Sequence, residues 1–229
     1  MTDTLFDLPL IPGIPVKGED RPYPVGRIFC VGRNYAAHAA EMGFEVDREA
    51  PFYFTKTPSA VVLSGAEVPY PPGTENFHYE MELVMAIGAP VFRATKEQAN
   101  AAIYAYGCGL DMTRRDLQGQ MKKMGRPWEI GKAFEHSAPV GPLVPASEIG
   151  HPSAGEVSLK VNGSLRQQGD LAQMIWKVPE MISYLSEFFE LAAGDVILTG
   201  TPSGVGPVMR GDSPEASVEG LGEMKVQVV

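Results

Sequence analysis

An apolar run that carries two glutamates, residues 78–88, is the feature that most constrains how this chain can fold. The run has the length and composition of a short β-strand. Side chains alternate between the two faces of a strand, so Glu80 and Glu82 point to the same side with their Cα atoms about 7 Å apart, while the apolar residues between them face the core. Two like charges on a half-buried sheet are costly without a partner. The run therefore predicts a sheet that holds a cation, although a lone Glu-x-Glu also occurs on solvated strands, where lysines across the sheet neutralise it.

Glycine and proline content favours a sheet-rich fold. The 229 residues are 44% apolar and can bury the core of one or two domains, of which we favour one. With 25 Gly and 20 Pro, the chain is expected to contain many turns and short strands rather than a helical bundle. Five of these prolines fall before residue 25. We interpret residues 1–24 as an extended arm and residues 25–229 as a single domain.

Charge and cysteine usage exclude several classes of partner. A formal net charge of −9 argues against nucleic acid and against anionic membranes, since no strong basic patch is visible. Cys30 and Cys108 lie in apolar strand-like runs without CxxC spacing, and no secretory leader is recognisable. No apolar run approaches the roughly 20 residues that span a bilayer. These observations predict a cytoplasmic protein whose cysteines are reduced core residues.

A third carboxylate follows the next predicted strand. Thr95 is a suitable cap for a helix over residues 96–102, and the apolar strand 103–110 then delivers Asp111 at its end. This helix and strand can return the chain beside Glu80 and Glu82. Three carboxylates, without cysteine or a second histidine at ligand spacing, describe a hard oxygen site for Mg²⁺ or Mn²⁺ that Ca²⁺ could also occupy.

A short alanine-rich helix, predicted over residues 36–42 with Asn34 as its N-cap, carries His38 and Glu41. Residues three apart share a helix face, so the two side chains can form a hydrogen bond. In such a pair the carboxylate can orient the imidazole as a general base. The alternative is a surface ion pair with no catalytic role.

Further polar side chains lie near the predicted strand ends. Thr113 is expected to cap a helix that places Arg115 and Gln118 one turn apart, from where both could reach over the metal. Residues 128–134 are interpreted as a loop in which Lys132 either serves a function among apolar neighbours or is simply exposed.

Lys56 ends a predicted strand over residues 52–56, where a lysine is usually solvated. Residues 194–206 are interpreted as a strand that runs into a glycine-rich loop. The loop is expected to expose Thr201, whose hydroxyl and neighbouring amides could hold a carboxylate. The last strands, near Ser217 and over residues 223–229, are expected to close the sheet.

Apolar residues at helical spacing predict a core helix over residues 178–189, including Phe188 and Phe189. A hairpin is predicted at Asn162-Gly163.

Four ordered motifs, at residues 32–38, 80–82, 110–116 and 197–206, together resemble the fumarylacetoacetate hydrolase family. The resemblance covers nearly the whole chain from residue 27, and within the family it is greatest to bacterial fumarylpyruvate hydrolases and acylpyruvases. It implies a mixed α+β, mainly β fold, in which a sandwich-like barrel of rolled strands is flanked by short helices, and usually a homodimer. Neither the extra N-terminal domain nor the further acidic metal ligand of the longer eukaryotic members is recognisable in this sequence.

The resemblance also implies residue roles. Glu80, Glu82 and Asp111 match the family's metal ligands, and His38 and Glu41 match its water-activating pair. Four more residues match contacts to the oxo-acid end of the substrate, and they are Arg115, Gln118, Lys132 and Thr201. Lys56 and Arg33 are further candidates for the substrate pocket.

The implied reaction is metal-assisted hydrolysis of a carbon–carbon bond in a 2,4-dioxo acid, converting fumarylpyruvate to fumarate and pyruvate in gentisate-type aromatic degradation. His38 would activate water, the cation would act as Lewis acid for the enolate, and Lys132 and Gln118 would donate hydrogen bonds. The same enolate chemistry would serve an oxaloacetate decarboxylase, or an isomerase or decarboxylase of a dienoic oxo-acid. A non-catalytic metal-binding β protein is the alternative outside the enzymes.

Overall fold

The computed structural model describes residues 5–6, 10–41 and 50–229. Short strands dominate this part of the chain, as its glycine and proline content predicts. The strands are β1 (Gly13–Ile14), β2 (Tyr23–Pro24), β3 (Arg27–Gly32), β4 (Phe52–Lys56), β5 (Val61–Leu63), β6 (Glu67–Val68), β7 (Phe77–Tyr79), β8 (Met81–Ile87), β9 (Ile103–Leu110), β10 (Thr113–Arg114), β11 (Ala138–Val140), β12 (Val144–Pro145), β13 (Glu156–Val161), β14 (Ser164–Asp170), β15 (Asp195–Leu198), β16 (Gly206–Pro207), β17 (Pro214–Val218), β18 (Gly222–Lys225) and β19 (Gln227–Val228). The helices are α1 (Ala36–Glu41), α2 (Lys96–Ala101), α3 (Arg115–Lys123), α4 (Glu129–Lys132), α5 (Ala146–Ile149) and α6 (Val178–Leu185), with 3₁₀ turns at Pro58–Ala60 and Leu171–Gln173.

The main sheet is mixed and runs in the order β4-β3-β15-β8-β9-β11-β5, with β12 also paired to β9. β8 lies at its centre, antiparallel to both β9 and β15. The register pairs Met81 with Leu110, and the residues just beyond this pair are Glu80 and Asp111. Strand pairing therefore brings together two of the three predicted ligands.

Both faces of β8 are buried, which corrects the expectation of a half-buried strand. Met81, Leu83 and Met85 belong to the larger core, as predicted. Val84 and Ala86, on the opposite face, belong to a second core. Glu82 therefore belongs to a strand that has no solvated face, and Glu80 immediately precedes that strand.

A second, antiparallel sheet packs against the larger core in the order β14-β13-β17-β18. The predicted hairpin between β13 and β14 is confirmed, with Asn162 and Gly163 in the left-handed region at φ 52° and 77°. Strands near Ser217 build this sheet, and β19 pairs with β6, so the last strands do not extend the main sheet as expected. The architecture is mainly β, a curled half-barrel sheet flanked by short helices, which confirms the predicted fold class.

The proline-rich N-terminal segment covers the second core. β1 and β2 form a small hairpin whose Ile14 and Tyr23 are buried, and Val16 bridges to Leu143. The Tyr23 hydroxyl donates to the carbonyls of Ile87 and Asp195. The division of the chain at residue 24 stays a prediction.

Two helix predictions are refined. The α2 cap is confirmed, because Thr95 and Gln98 form a reciprocal capping box. α6 ends at Leu185, earlier than predicted, and the prediction that Phe188 and Phe189 are core residues is wrong, since they are 64% and 43% exposed.

Among the described residues, no helix combines the length and apolar character needed to cross a membrane.

Candidate metal centre and its cleft

Three carboxylates converge at one end of β8 and β9. Glu80, Glu82 and Asp111 are all buried, and each offers a carboxylate oxygen within 4.8 Å of the other two. The Asp111 amide donates to the Glu80 carbonyl at 2.8 Å, which continues the β8–β9 pairing beyond Leu110. The backbone of the sheet therefore sets the spacing of the carboxylates.

An orphaned oxygen indicates that this group fits a cation. Asp111 Oδ1 is buried and accepts no hydrogen bond. Lys56 Nζ lies 2.8 Å away, an ion-pair distance without hydrogen-bonding alignment. A buried carboxylate oxygen without a donor is uncommon, and an all-oxygen set of three carboxylates is the donor chemistry that Mg²⁺ and Mn²⁺ prefer. The residues present therefore fit the predicted divalent cation.

The two glutamates differ in their charged neighbours. Burial opposes ionisation of Glu80, but Lys132 and Arg115 outweigh it and lower its pKa. Burial raises the pKa of Glu82 well above its usual value, and the charges of Asp111 and Glu80 raise it further. The Glu82 carboxylate accepts a 2.7 Å hydrogen bond from the Gly200 amide. Without a cation, the proton is therefore held more tightly by Glu82 than by Glu80.

Lys132 is a buried component of the centre. It is 2% exposed, and its ammonium donates to Asp111 Oδ2 at 2.6 Å, Thr113 Oγ1 at 2.7 Å and Glu80 Oε2 at 3.0 Å. The alternative of an exposed lysine is therefore wrong. The interpretation of residues 128–134 as a loop is also wrong, because Lys132 ends the short helix α4.

Thr113 does not cap α3. The residue before the helix is Arg114, whereas the Thr113 hydroxyl donates to the Asp111 carbonyl at 3.1 Å and accepts from Lys132. Thr113 therefore contributes a hydroxyl group beside Lys132 and Asp111 rather than a helix cap.

Lys56 is buried, so the expectation of a solvated lysine is wrong. Its ammonium donates to the carbonyls of Met112 and Lys132 and to Ser137 Oγ. With Asp111 as its ionic partner, the ammonium has all its hydrogens committed to protein atoms, and Lys56 does not line the cleft described below. The geometry favours a role in positioning over the predicted substrate contact.

His38 and Glu41 form the predicted pair on α1. His38 Nδ1 lies 3.2 Å from Glu41 Oε2, and the imidazole is buried at 6% exposure. The Glu41 carboxylate also accepts from the Gly204 amide at 3.2 Å, which ties α1 to the glycine-rich loop. Met42, the last residue of the predicted helix, lies outside the described residues.

The prediction that Asn34 is the N-cap of α1 is wrong, because the helix begins at Ala36, and Asn34 instead connects three segments. Its side chain donates to the carbonyls of Thr199 and Trp176 and accepts from the Trp176 amide. The segment that leads into α1 is therefore fixed to β15 and to the approach to α6.

Arg115 and Gln118 share a face of α3 as predicted. The Arg115 guanidinium donates to Gln118 Oε1 at 2.6 Å and forms an ion pair with Glu80. Thr201 was expected to be exposed and is instead 2% exposed. Its hydroxyl accepts from Gln167 Nε2 at 2.8 Å, and Gln167 Oε1 accepts from the Met81 amide at 2.9 Å.

One cleft with an empty volume of about 480 Å³ joins most of these groups. Nine of the eleven predicted site residues line it, and they are Arg33, His38, Glu80, Glu82, Asp111, Arg115, Gln118, Lys132 and Thr201. Glu41 acts on this set through His38, and Lys56 through Asp111.

Several cleft residues were not predicted from the sequence. Phe52, Phe54 and Trp128 form an apolar wall, and the exposed Lys122 also lines the cleft. An aromatic residue in a strand normally indicates core, and a lysine at a helix end normally indicates solvent, so neither type of residue gave a sequence signal. Gln167 also escaped notice, although its buried amide supports both β8 and Thr201.

A family model and several known proteins match most of this chain. Residues 27–229 match the family model described as fumarylacetoacetate (FAA) hydrolase C-terminal. A fumarylpyruvate hydrolase of Ralstonia sp. is 48% identical over 189 residues, which cover 82% of this chain and 98% of the relative. Oxaloacetate tautomerase YcgM of Escherichia coli (strain K12) is 47% identical over 199 residues, which cover 86% and 90% of the two chains.

A crystal structure of fumarylpyruvate hydrolase from Pseudomonas aeruginosa, in complex with Mn²⁺ and pyruvate, superposes with a TM-score of 0.96. It is 53% identical in sequence, and the match covers 99% of both chains. A 2-hydroxyhepta-2,4-diene-1,7-dioate isomerase from Mycobacterium marinum superposes at 0.79 with 32% identity, over 91% of this chain and 76% of the isomerase. Relatives of this fold therefore include hydrolases, tautomerases and isomerases.

Proposed function

The chain belongs to the fumarylacetoacetate hydrolase family, and on that premise we propose that it is a divalent-metal-dependent hydrolase that cleaves fumarylpyruvate to fumarate and pyruvate. The observation that carries this proposal is that His38, which is paired with Glu41, lines the same cleft as the three buried carboxylates. A decarboxylase centre that only stabilises an enolate needs no general base, whereas hydrolysis needs one to activate water. The similarity to a fumarylpyruvate hydrolase in complex with Mn²⁺ and pyruvate supports the same substrate.

Glu80, Glu82 and Asp111 would hold the cation, which supplies Lewis-acid stabilisation of negative charge on the oxo-acid oxygens. His38 takes a proton from water while Glu41 holds the imidazole in orientation. The resulting hydroxide adds to the C4 carbonyl, and the bond between C3 and C4 breaks. Its electron pair forms the enolate of pyruvate, fumarate leaves with the added oxygen, and protonated His38 returns the proton to C3.

Two side chains are placed to stabilise charge in the cleft. Gln118 is held by Arg115 through its carbonyl oxygen, which leaves its amide N–H group to donate to the substrate. Lys132 can donate to the substrate only by releasing one of its three present acceptors, Asp111, Glu80 or Thr113.

Pyruvate release is the test of this proposal. Purified protein with Mn²⁺ is supplied with fumarylpyruvate, and the loss of enol absorbance is followed together with the pyruvate and fumarate produced. We expect equal amounts of both products, and a rate at least about 100-fold lower for His38→Asn. His136, which is exposed and has φ 60°, provides the control variant His136→Asn. Wild-type protein that releases pyruvate no faster than buffer would contradict the proposal.

Oxaloacetate tautomerase is the second candidate, favoured by the relative from Escherichia coli. Tautomerisation needs proton transfer between C3 and the C2 oxygen, but no water attack and no bond cleavage. Rapid interconversion of oxaloacetate tautomers without pyruvate release from fumarylpyruvate would favour it. A protein that binds Mn²⁺ and turns over neither acid would support the non-catalytic alternative. The decarboxylase alternative, the homodimer, cytoplasmic location and a role in gentisate breakdown stay predictions.

A further inference from the structure

The cleft has two chemically different ends joined by an aromatic wall. The inner end holds the three carboxylates with Lys132 and Arg115. The outer end opens into a second hollow, and the two hollows share Arg33, Phe52, Phe54 and Trp128. A substrate bound at the carboxylates can therefore extend along this wall to the outer end.

A series of close contacts connects the two ends. Lys132 Nζ lies 5.0 Å from the Phe54 ring centre, and the Phe54 ring lies 6.1 Å from the ring of Trp128. The Trp128 ring meets the Phe52 ring edge-on at 5.3 Å, and the Arg33 guanidinium lies 4.8 Å above the Phe52 ring. Aromatic faces of this kind suit a flat conjugated chain.

The length of the wall matches that of a short substrate. Phe52 and Phe54 are two residues apart on β4, so their side chains share a face about 7 Å apart. The two terminal carboxyl carbons of an extended seven-carbon dioxo acid are separated by six bonds of about 1.5 Å in zigzag, or about 7 to 8 Å. A second carboxylate at the far end of such an acid would reach the region of Arg33.

Positive charge is concentrated at the outer end. Arg33 and Arg126 line the outer hollow, and Lys122 lines the cleft beside Arg33. Among the described residues that line the outer hollow, Glu129 is the one carboxylate. Arg33, Arg115 and Lys122 all line the same cleft. Burial lowers the pKa of Lys122, and the charges of Arg33 and Arg115 lower it further. The chain as a whole has a net charge of −9, so these positively charged side chains are a local exception to its acidic composition.

The backbone holds Arg33 at this place. Its φ of 56° lies in the left-handed region, which is unusual for a residue with a side chain and is found where surrounding structure enforces it, often at functional sites. A Cβ at Gly32 would lie 2.0 Å from Phe52 Cζ, so glycine is required there for the Phe52 ring to pack. Asn34, the residue that follows Arg33, is held by hydrogen bonds from its side chain to the carbonyls of Thr199 and Trp176.

We infer that the outer end binds a second carboxylate of the substrate, with Lys122 and Arg33 as the residues that contact it. The inference rests on the proposed function and narrows it, because the enzyme then selects dicarboxylic 2,4-dioxo acids over acylpyruvates that end in a methyl group. The aromatic wall supports the unsaturated chain between the two charged ends.

A matched pair of substrates tests the inference. One is fumarylpyruvate, and the other is crotonylpyruvate, in which a methyl group replaces the distal carboxylate. A charge-assisted hydrogen bond of about 1.5–3 kcal/mol corresponds to about 10- to 100-fold in kcat/KM. We expect wild-type enzyme to prefer fumarylpyruvate by at least about 10-fold, and this preference to fall with ionic strength.

Variants at neighbouring lysines separate a substrate contact from a general charge effect. Lys122→Gln should lower kcat/KM for fumarylpyruvate by about 10-fold, mainly through KM, and leave crotonylpyruvate within about twofold. Lys123→Gln, at an exposed residue next in α3 that does not line the cleft, should change neither. Arg33→Gln should act in the same direction as Lys122→Gln.

Equal turnover of the two acids by wild-type enzyme would overturn the inference, and so would an equal loss on both acids in Lys122→Gln. If the wild-type enzyme cleaves neither acid, the proposed function fails. In that case, binding of the second carboxylate is tested by the dissociation constants of the same two acids. They are measured by calorimetry on the Mn²⁺-loaded wild-type, Lys122→Gln and Lys123→Gln proteins.

Discussion

Lys132 Nζ lies 2.6 Å from Asp111 Oδ2 inside the protein, in a buried ion pair. Burial opposes the charged ammonium, but Asp111 and Glu80 outweigh it and raise the pKa of Lys132. Loss of one partner from such a pair leaves an uncompensated buried charge, which typically costs about 3–5 kcal/mol.

Lys132→Met should therefore destabilise the metal-free protein by about that amount. The gain in melting temperature on adding Mn²⁺ should be larger in the variant than in wild type, because the cation then offsets more repulsion among the carboxylates. Thermal melts with and without chelator measure both effects, with Lys123→Met as the control. A metal-free variant as stable as wild type would show that the ammonium is dispensable.

Lys56→Met is predicted to act on stability rather than on substrate affinity. The Lys56 ammonium bonds to the carbonyls of Met112 and Lys132 and to Ser137, and it neutralises Asp111. Its removal should cost about 3–5 kcal/mol in the free energy of unfolding, as measured by urea denaturation. A rise in KM at unchanged stability would instead place Lys56 in contact with the substrate, as the family resemblance implies.

Glu82→Gln should abolish tight metal binding without loss of stability in chelator. The pKa of Glu82 is raised in the metal-free fold, so the unfolded chain releases this proton at lower pH than the folded protein does. The folded protein therefore becomes less stable relative to the unfolded chain as the pH rises above about 4.5, because the unfolded chain ionises Glu82 more readily. Glutamine does not ionise, so the variant lacks this pH dependence.

Melting temperatures in chelator between pH 5 and 8 should accordingly fall more steeply with pH in wild type than in Glu82→Gln. Metal binding should also release a proton, which calorimetry in buffers of different ionisation enthalpy detects. Parallel pH profiles for the two proteins would contradict this assignment.

His78 supplies a pH dependence of the opposite sign. Burial and the neighbouring Arg115 charge lower its pKa to about 4, and Nε2 lies 2.7 Å from Asn76 Oδ1. Between pH 6.5 and about 4, the unfolded state binds a proton that the folded state does not, so stability is lost as pH falls through this window. His78→Gln should flatten the decline, as measured by denaturation at pH 4.5 and 7. An unchanged slope would assign the acid sensitivity to other groups.

Local patterns predicted the strands that position the carboxylates. Side chains alternate between the two faces of a strand, so the pattern along residues 80–85 predicted that both glutamates point to one side. The apolar run before Asp111 predicted the strand that can return the third acid beside them. The spacing of His38 and Glu41 likewise predicted their contact, since a helix relates residues three apart.

The errors came from tertiary packing that leaves no local signal. Lys56, Lys132 and Thr201 are of residue types that are usually exposed, and each is buried by segments distant in sequence. Likewise, the apolar spacing continues to Phe188 and Phe189 after α6 has ended, so periodicity alone overestimated the helix. The aromatic wall was missed because Phe52 and Phe54 have a composition that suits a core strand equally well.

The pairing of β8 with β9 on one side and β15 on the other has a consequence for ionic radius. Glu82 pairs with Gly109 within the ladder, and the Asp111 amide donates to the Glu80 carbonyl just beyond it. The Cα positions of the three ligands therefore cannot spread without breaking these backbone hydrogen bonds. Ions of different size would therefore be accommodated by rotation of the ligand side chains and by the number of water molecules that each ion keeps. Such a centre would discriminate among metal ions by the energy of partial dehydration rather than by expansion of the protein around them.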